Sequence, residues 1–469
     1  MKILFTNTYY QKKVEYTSLI SIVPPLDLAY AAAAVREIEG AHEIRIIDAN
    51  AERYSMYDLS HRIREYAPDI LVVTAPTHSI NAARDIFESA RDCDFITMLM
   101  GTHGTALPEE TLRYIPALDI ILLGESERIL QRIIPRLETG SDIADIPGIA
   151  YRVKEHVAIQ EKDCLDGPFD ALPFPARDLL PNHKYASPFA NRVTAIQTTR
   201  GCPGRCVFCD SHLLYGYNYR ARNPHRVVDE IEQCFRDYSI TYFAVLDHTF
   251  TAYSHYVIDI CNEIIRRDLH HSITFVCNTR VDMLDDNVLR IMKQAGCLQI
   301  GIGIESGETD RLRQIHKNIS QEQLKDAVQR IKKHGMLVMG YALIGFPHET
   351  IEDIRKTERI IFELNPHTLQ LSFATPLPGT ELYAACEKEN RILSDNWDDF
   401  VFLRKSVIKN QHMGTEELEY RRQRILTRFY LRPSKLLEII FFLLFRVRIH
   451  YISSLKAGLK IVTSLVFRK

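Results

Sequence analysis

The sequence predicts an α/β protein: a doubly wound parallel sheet, then a partial (β/α)6 barrel of the TIM type, then a helical C-terminal tail. Three observations lead to this prediction. The chain has 469 residues, which is more than one ordinary core accommodates. Strand-like runs alternate with amphipathic helical stretches twice, over roughly the first 150 residues and again from Val193. Hydrophobic residues at 46% and charged residues at 25% are globular averages and argue against disorder.

The first series predicts a domain over residues 1–140. Its five strands are expected at Lys2–Thr6, Glu43–Asp48, Asp69–Ala75, Phe95–Gly101 and Leu118–Gly124. Helices are expected at Leu26–Glu37, Tyr57–Tyr66, Asn81–Arg91, Glu109–Tyr114 and Glu125–Leu137. Short crossovers between parallel strands indicate a flavodoxin-like sheet, which binds ligands at the carboxyl ends of its strands.

Residues 141–190 are typical of a linker. A strand-like stretch, Gly148–Val153, is followed by prolines that prevent regular structure, at Pro168, Pro173, Pro175, Pro181 and Pro188.

The second series predicts a barrel over residues 191–400. Six strands are expected at Val193–Thr198, Thr241–Asp247, Ser272–Asn278, Leu298–Glu305, Met336–Ile344 and Thr368–Ala374. Helices separate them at Pro224–Asp237, Ser254–Arg267, Asp285–Gln294, Gln321–Lys333 and Ile351–Leu364. Such a barrel places its active site at the carboxyl ends of the strands.

Residues 401–469 predict a basic, mostly helical tail. From Phe402 onward there are 15 Lys or Arg residues and only four Asp or Glu, although the whole chain has a net charge of -2. The longest apolar run, Leu436–Phe445, is too short to span a bilayer and contains Glu438. Apolar residues from Ile452 to Val466 then recur at helical spacing beside Lys456 and Lys460. This amphipathic helix suits an anionic membrane surface or a partner groove, and docking on the acidic body of its own chain is the alternative.

Three of the ten cysteines lie close together, in Thr199-Arg-Gly-Cys202-Pro-Gly-Arg-Cys206-Val-Phe-Cys209, directly after the first barrel strand. The others are scattered singly, which suits a reducing compartment and metal binding rather than disulfides. An iron–sulfur cubane normally takes four protein thiolates, so a set of three would leave one iron open to a ligand. A structural zinc loop or unrelated core cysteines are the alternatives, and the place at the end of a barrel strand favours the cluster.

The cysteine spacing and the six β/α units resemble the radical S-adenosylmethionine (SAM) superfamily. The resemblance implies that Cys202, Cys206 and Cys209 hold a [4Fe-4S] cluster whose open iron chelates SAM. It implies that reduction of the cluster cleaves SAM to methionine and a 5'-deoxyadenosyl radical, which takes hydrogen from the substrate. Phe208 would pack near the adenine, with ordinary core packing as the alternative.

Four further positions match the superfamily in order along the chain. Glu305 closes a Gly-rich strand and would bind the SAM ribose, unless it forms a structural salt bridge. Asp247 would bind the SAM amino group or the substrate, with a helix cap or local turn as the alternative, and His248 departs from the two consecutive acids of relatives. Arg280 would pair with the SAM carboxylate or else with Asp282. Gly345 begins a loop that would hold the adenine, or is simple turn chemistry.

A flavodoxin-like domain before such a barrel resembles the cobalamin-binding subgroup, which includes anaerobic Mg-protoporphyrin ester cyclases and hopanoid-modifying enzymes. Matching segments are Pro24–Tyr30, Gly101–Glu110 and Gly124–Glu127. The last two follow strands, where the nucleotide tail of cobalamin would dock. The D-x-H-x-x-G motif that supplies a histidine to cobalt is absent from the sequence, so we expect His103 to be a loop residue rather than a cobalt ligand.

The leading hypothesis is therefore a cobalamin-dependent radical SAM enzyme that modifies an unactivated carbon by methyl transfer, cyclisation or rearrangement. Its substrate is expected to be a small molecule, lipid-like or porphyrin-like, and its electron donor a flavodoxin or ferredoxin. A methylthiotransferase would need three more cysteines near the N-terminus, and only Cys93 and Cys164 precede the motif. The non-enzymatic alternative is a metal-stabilised protein that binds cobalamin or a lipid.

The sequence also bears on location. The N-terminus has no signal-peptide pattern, so we expect a cytoplasmic protein, peripheral to the inner face of the membrane if the tail binds lipid. The basic tail lacks interleaved aromatic residues for stacking bases, so a nucleic-acid partner is not expected.

Overall fold

The computed structural model describes residues 1–9, 23–154, 156–162, 169–187 and 189–438. A seven-stranded sheet comes first, with the strand order β2-β1-β3-β4-β5-β6-β7. Strands β1 to β5 are parallel, and their order is that of a flavodoxin-like sheet. The strands are β1 Lys2–Asn7, β2 Glu43–Ile47, β3 Ile70–Thr74, β4 Ile96–Met100, β5 Ile120–Leu122, β6 Ile149–Val153 and β7 His156–Ile159.

Helices cover both faces of this sheet because successive strand residues point to opposite sides. Ile3 and Phe5 of β1 pack with α1 and α7, whereas Leu4 packs with α3 and α4. The helices are α1 Leu26–Arg36, α2 Ala49–Glu52, α3 Met56–Tyr66, α4 Ile80–Ser89, α5 Thr102–Ala106, α6 Pro108–Tyr114 and α7 Ser126–Glu138. The doubly wound first sheet predicted from the sequence is thus confirmed.

The Pro-rich segment is more than a linker. Strands β6 and β7 pair antiparallel and extend the first sheet beyond β5. Leu180 and Tyr185 are buried in the core of that sheet, because the prolines limit helical structure here to short 3-10 turns and leave the apolar residues free to pack. The hydroxyl of Tyr185 donates to Asp48 Oδ2 at 2.9 Å, and Arg177 donates to Thr194 Oγ1 at 2.5 Å in the barrel. This segment is therefore fastened to both sheets.

The second sheet is the expected partial barrel of six parallel strands, in the order β15-β14-β13-β12-β11-β8. Its strands are β8 Val193–Ile196, β11 Tyr242–Val245, β12 Thr274–Thr279, β13 Cys297–Glu305, β14 Leu337–Ile344 and β15 Thr368–Phe373. A separate antiparallel ribbon, β9 Thr199–Arg200 with β10 Arg220–Ala221, follows β8.

Helices cover the outer face of the barrel strands and complete the (β/α)6 pattern. They are α8 Ser211–Tyr215, α9 Pro224–Tyr238, α10 Ser254–Arg266, α11 Asp286–Gln294, α12 Thr309–Gln314, α13 Gln321–Lys333, α14 Ile351–Leu364 and α15 Glu381–Lys388. Apolar residues of α9, α10, α11, α13 and α14 form one core with the strands. The partial barrel is confirmed.

The first helix in the described part of the tail is α16, Thr415–Tyr430, whose Leu418, Ile425 and Phe429 are buried against the barrel core. The structure describes only the first three residues of the apolar run Leu436–Phe445, and the predicted amphipathic stretch from Ile452 lies outside the described residues. Among the helices that are described, none is long and apolar enough to span a bilayer.

Candidate active site

The three clustered cysteines lie in a loop that the β9–β10 ribbon closes at its base. The loop is held by backbone bonds from Cys202 N to Gly216 O at 3.3 Å and from Cys209 N to Cys206 O at 3.1 Å. Gly201 has φ 83°, and a Cβ there would overlap the carbonyl of Asn218, so only glycine fits at this turn. All three thiols are free and half-buried.

A cavity of about 340 Å³ opens beside this loop, at the carboxyl ends of the barrel strands. Three of the predicted residues, Phe208, Arg280 and Glu305, line it, and so does His248. Its charged lining comes from Arg280, Glu305 and Lys317, whereas Phe373, Leu377 and Phe402 form an apolar part. The barrel fold thus brings the cysteine loop and distant strand ends to one chamber.

Glu305 forms a buried ion pair, since its Oε1 lies 2.8 Å from Nζ of Lys317 and the two side chains are 8% and 9% exposed. Glu305 is in the left-handed region, at φ 56°, which turns the carboxylate back over its own strand. A Cβ at Gly303 would overlap both charged atoms, so this glycine makes room for the pair. The predicted close approach beside the glycine is therefore made by the protein's own side chains.

Lys317 is a site residue that the sequence analysis missed. Burial by itself would lower the pKa of this ammonium, but the carboxylate of Glu305 and the thiolate form of Cys206 outweigh it, and the pKa is raised. A buried carboxylate needs a charged or polar partner, and Lys317 stands only 12 residues after Glu305. This need could have pointed to Lys317 from the sequence.

Arg280 lies between the cysteine loop and Lys317. It is paired with Asp282, with Nη2 to Oδ2 at 2.9 Å, and also donates to the carbonyl of Lys317 at 3.0 Å. A Cβ on Gly204 would be 3.6 Å from Arg280 Nη1 and 3.4 Å from Cys202 Sγ, so the guanidinium lies beside the loop. Both the expected site position and the alternative pair with Asp282 are present.

Asp247 faces away from the cavity and towards the start of the cysteine segment. Its carboxylate accepts from Thr198 N at 2.8 Å, Thr198 Oγ1 at 2.5 Å and Thr199 N at 3.1 Å. Burial raises the pKa of Asp247 to about 6 despite these bonds. The carboxylate therefore ties the ends of β8 and β11 together, a structural role that is neither the helix cap nor the local turn considered from the sequence.

The Gly345 loop is organised by a buried carboxylate. Gly345 has φ 89°, and its N–H donates to Glu349 Oε2 at 2.5 Å. Asn410 donates to the carbonyls of Phe346 at 2.6 Å and Glu349 at 2.9 Å. Burial raises the pKa of Glu349 to about 7. Glu349 and Asn410 thus fix the shape of a loop that the sequence identified only by its glycine.

The two loops predicted to dock cobalamin are joined at the carboxyl edge of the first sheet, where Gly124 N donates to Thr105 Oγ1 at 3.0 Å. His103 belongs to the short helix α5 and is 2% exposed. Its Nδ1 lies 3.3 Å from Thr77 Oγ1, and its ring packs edge-on against Trp397 at 4.8 Å between centroids. Burial lowers the pKa of His103 to about 4, so the ring is neutral at physiological pH.

The donor set fits a [4Fe-4S] cluster. Burial raises the pKa of the Cys206 and Cys209 thiols, so thiolates here need positive charge beside them. The iron atoms supply it when bound, and Arg280 and Lys317 add two cations at the same wall. Three thiols from one loop leave the fourth iron without a protein thiolate from that loop.

Comparison with known proteins identifies the family. Residues 196–361 match the Radical SAM superfamily, and residues 16–134 match the B12 binding domain. An uncharacterised methyltransferase of Pyrococcus horikoshii is 33% identical over 423 residues, which cover 89% of this chain and 90% of the relative. The chain belongs to the cobalamin-binding radical SAM enzymes.

A second relative and a solved structure are also similar to it. The anaerobic magnesium-protoporphyrin IX monomethyl ester cyclase of Rubrivivax gelatinosus is 30% identical over 370 residues, covering 77% of this chain and 66% of the cyclase. The solved structure of OxsB, a cobalamin-dependent SAM radical enzyme, has the same fold, with a TM-score of 0.73 at 15% identity, and covers 99% of this chain and 71% of OxsB. This cobalamin-binding radical SAM enzyme therefore uses a [4Fe-4S] cluster, SAM and cobalamin, and the non-enzymatic alternative is set aside.

Proposed function

We propose that this enzyme transfers a methyl group from SAM to an unactivated carbon of a small, largely apolar molecule. The observation that carries the proposal is the similarity to a methyltransferase over 89% of the chain. The apolar part of the cavity, with Phe373, Leu377 and Phe402, supports an apolar substrate at that end.

The charged part of the cavity is suited to SAM, which carries an amino group, a carboxylate and a ribose. We assign Cys202, Cys206 and Cys209 to the cluster and Arg280, with Lys317, to the SAM carboxylate. Glu305 is assigned to the ribose and Phe208 to the adenine face, because both line the cavity. The Gly345 loop is not among the residues that line the cavity, and its contact with the adenine stays a prediction. When bound, the cluster, SAM and cobalamin together supply radical formation and a methyl group, while the chain's own residues bind and orient.

The reaction type follows from the products. Radical methylation consumes one SAM as methyl donor and one as radical precursor, so S-adenosylhomocysteine and 5'-deoxyadenosine accumulate together. Enzyme reconstituted anaerobically with iron, sulfide and cobalamin, and reduced by flavodoxin or dithionite, is incubated with SAM carrying a CD₃ group and with lipid and porphyrin extracts. Methylation gives both products and a CD₃-labelled compound. Formation of 5'-deoxyadenosine without S-adenosylhomocysteine contradicts methyl transfer and favours an oxidative cyclisation.

We also propose that the C-terminal segment contacts the anionic cytoplasmic face of a membrane and brings the enzyme to a lipid-like substrate. The excess of Lys and Arg after Phe402, with apolar residues at helical spacing from Ile452, supports this. Flotation with phosphatidylglycerol vesicles is expected to carry the enzyme upward, and phosphatidylcholine vesicles are not. Equal flotation of the wild type and a Lys456→Glu, Lys460→Glu variant would contradict the proposal.

A further inference from the structure

The ribbon at the base of the cysteine loop carries two arginines that bind the same carboxylate of the first sheet. Arg200 and Arg220 are directly paired across β9 and β10. Arg200 Nη1 lies 2.6 Å from Glu125 Oε2, and Arg220 is in contact with Glu125 Oε1. A second carboxylate, Glu127, accepts from Arg200 Nη2 at 2.6 Å. Two planar guanidinium groups thus form ion pairs with two neighbouring carboxylates, those of Glu125 and Glu127.

Arg200 has lost nearly all contact with solvent, since it is 2% exposed. Its Nε donates to Gln197 at 3.2 Å, and its Cζ lies 4.4 Å from the centroid of the Phe169 ring and 5.1 Å from that of Tyr215. A buried guanidinium that is paired on its edges and packed on its faces has a single position. Lysine could supply the charge but not this planar geometry.

Each end of the pairing is one residue from a cofactor loop. Arg200 precedes Gly201-Cys202, and Gly201 lies so close to the carbonyl of Asn218 that a Cβ there would overlap it. On the other side, Glu125 follows Gly124, whose N–H is bonded to Thr105 in the other loop assigned to cobalamin. Glu125 and Glu127 also lie at the N-terminus of α7, where the helix dipole favours carboxylates.

We propose that Arg200, with Glu125 and Glu127, is a positioning element that sets the separation and orientation of the cysteine-bound cluster relative to cobalamin. The inference rests on the proposed function, because that function requires both cofactors in one chain. In this role Arg200 contacts neither cofactor. It acts through the backbone of Gly201, its neighbour in sequence, and through Glu125 on the backbone of Gly124. Cofactors that exchange groups through a substrate need placement to within about 0.5 Å, which an arginine fork provides.

The test measures geometry rather than turnover. Enzyme loaded with both cofactors is brought to the cob(II)alamin and reduced-cluster state, and magnetic coupling between the two spins splits the cobalt electron paramagnetic resonance signal. The dipolar part of this coupling decreases with the cube of the distance between the two spins. Wild type is expected to show one resolved splitting. Arg200→Lys and Glu127→Gln are expected to keep both cofactors. Because the two cofactors would then vary in separation and orientation, the spread of the splitting is expected to be at least about twofold broader than in wild type.

Glu263→Gln is the matched control, because Glu263 is as buried as Glu127, at 5% exposure, and is bound by Arg266 and Arg267 of the barrel. It is expected to keep the wild-type splitting. If Arg200→Lys fails to fold, Glu127→Gln decides, since glutamine keeps the size and an acceptor for arginine. A wild-type splitting in Glu127→Gln overturns the inference. Loss of either cofactor from Glu127→Gln overturns it too, because Glu127 would then serve that one site.

Failure of the proposed function gives a different result. Wild-type enzyme that binds no cobalamin, or no cluster, contradicts the proposed function before any variant is compared. Wild type that holds both cofactors and shows no splitting overturns only the positioning inference, because the two spins would then be magnetically separate.

Discussion

Nζ of Lys317 lies 2.8 Å from Oε1 of Glu305, inside the wall of the cavity that also holds Arg280. Removing one member of a buried pair leaves the other as an uncompensated charge, which costs about 3 to 5 kcal/mol. Lys317→Met would leave an anion beside the carboxylate of SAM and the cluster thiolates. We expect at least a tenfold weaker binding of SAM, measured by anaerobic titration calorimetry.

Lys317→Arg is the matched control, because it keeps the positive charge beside Glu305. It is expected to bind SAM within a few-fold of wild type. Unchanged SAM affinity in Lys317→Met would show that the pair is structural only.

Serine in place of Cys202, Cys206 or Cys209 should prevent the cluster from being retained. Serine hydroxyls are poor ligands for iron at neutral pH, and a cubane held by two thiolates is labile. Each variant is expected to bind far less than the about four iron atoms per chain of a [4Fe-4S] protein, measured by iron analysis after reconstitution. Cys93→Ser, which changes a half-buried cysteine in the first domain, should keep its iron. Full iron content in any of the three variants would remove that cysteine from the ligand set.

Gly201→Ala tests the turn that begins the cysteine loop. Alanine at a positive φ costs on the order of 1 kcal/mol wherever it stands, and at Gly201 its Cβ would also overlap Asn218. Gly140 is the control, since it has φ 67° with no atom within 4 Å of a Cβ. We expect Gly140→Ala to retain the charge-transfer absorption of the cluster and Gly201→Ala to lose most of it. Equal absorption in the two variants would contradict the close approach.

Glu349 should make the stability of the enzyme depend on pH. Its pKa is about 7 in the folded chain against 4.5 for an ordinary glutamate, so between these values the folded state holds a proton that the unfolded state has released. The free energy of unfolding therefore decreases as pH rises from about 4.5 to about 7, by on the order of 3 kcal/mol.

Glu349→Gln removes this titration and should be the more stable protein at pH 8 but not at pH 5, by anaerobic urea unfolding followed by circular dichroism. The control is Glu308→Gln, because Lys356 lowers the pKa of Glu308 and its titration lies below this range. A wild-type pH slope in Glu349→Gln would assign the dependence to another group.

Local patterns carried most of the fold prediction. Alternating runs such as Val193–Thr198 and Leu298–Glu305 place strands correctly because burial of one or both faces fixes their period. The cysteine spacing placed the loop for the same reason, since it is contained in eight consecutive residues. Gly345 has a φ of 89°, so the loop predicted to hold the adenine begins with a turn, and its contact with the adenine stays a prediction.

Long-range partners could not be predicted in this way. That Asp247 binds Thr198, 49 residues away, depends on β8 and β11 being neighbours. That Arg200 meets Glu127 depends on how two separate sheets dock. The glycines of β13 predicted that some group comes close to this strand. That the group is Lys317 depends on the left-handed backbone of Glu305, which residue propensities do not indicate.

Residues 177–185 of the Pro-rich segment join the two sheets through side-chain bonds as well as through the chain itself. Arg36 pairs with Asp178, Arg177 donates to Thr194, and Tyr185 donates to Asp48. Fewer than ten residues therefore bind to both halves of the molecule. A swinging-arm cycle, in which one half carries its cofactor away from the other between steps, would have to break these bonds on every turnover. SAM, its products and the substrate would then enter and leave while residues 177–185 hold the two sheets together.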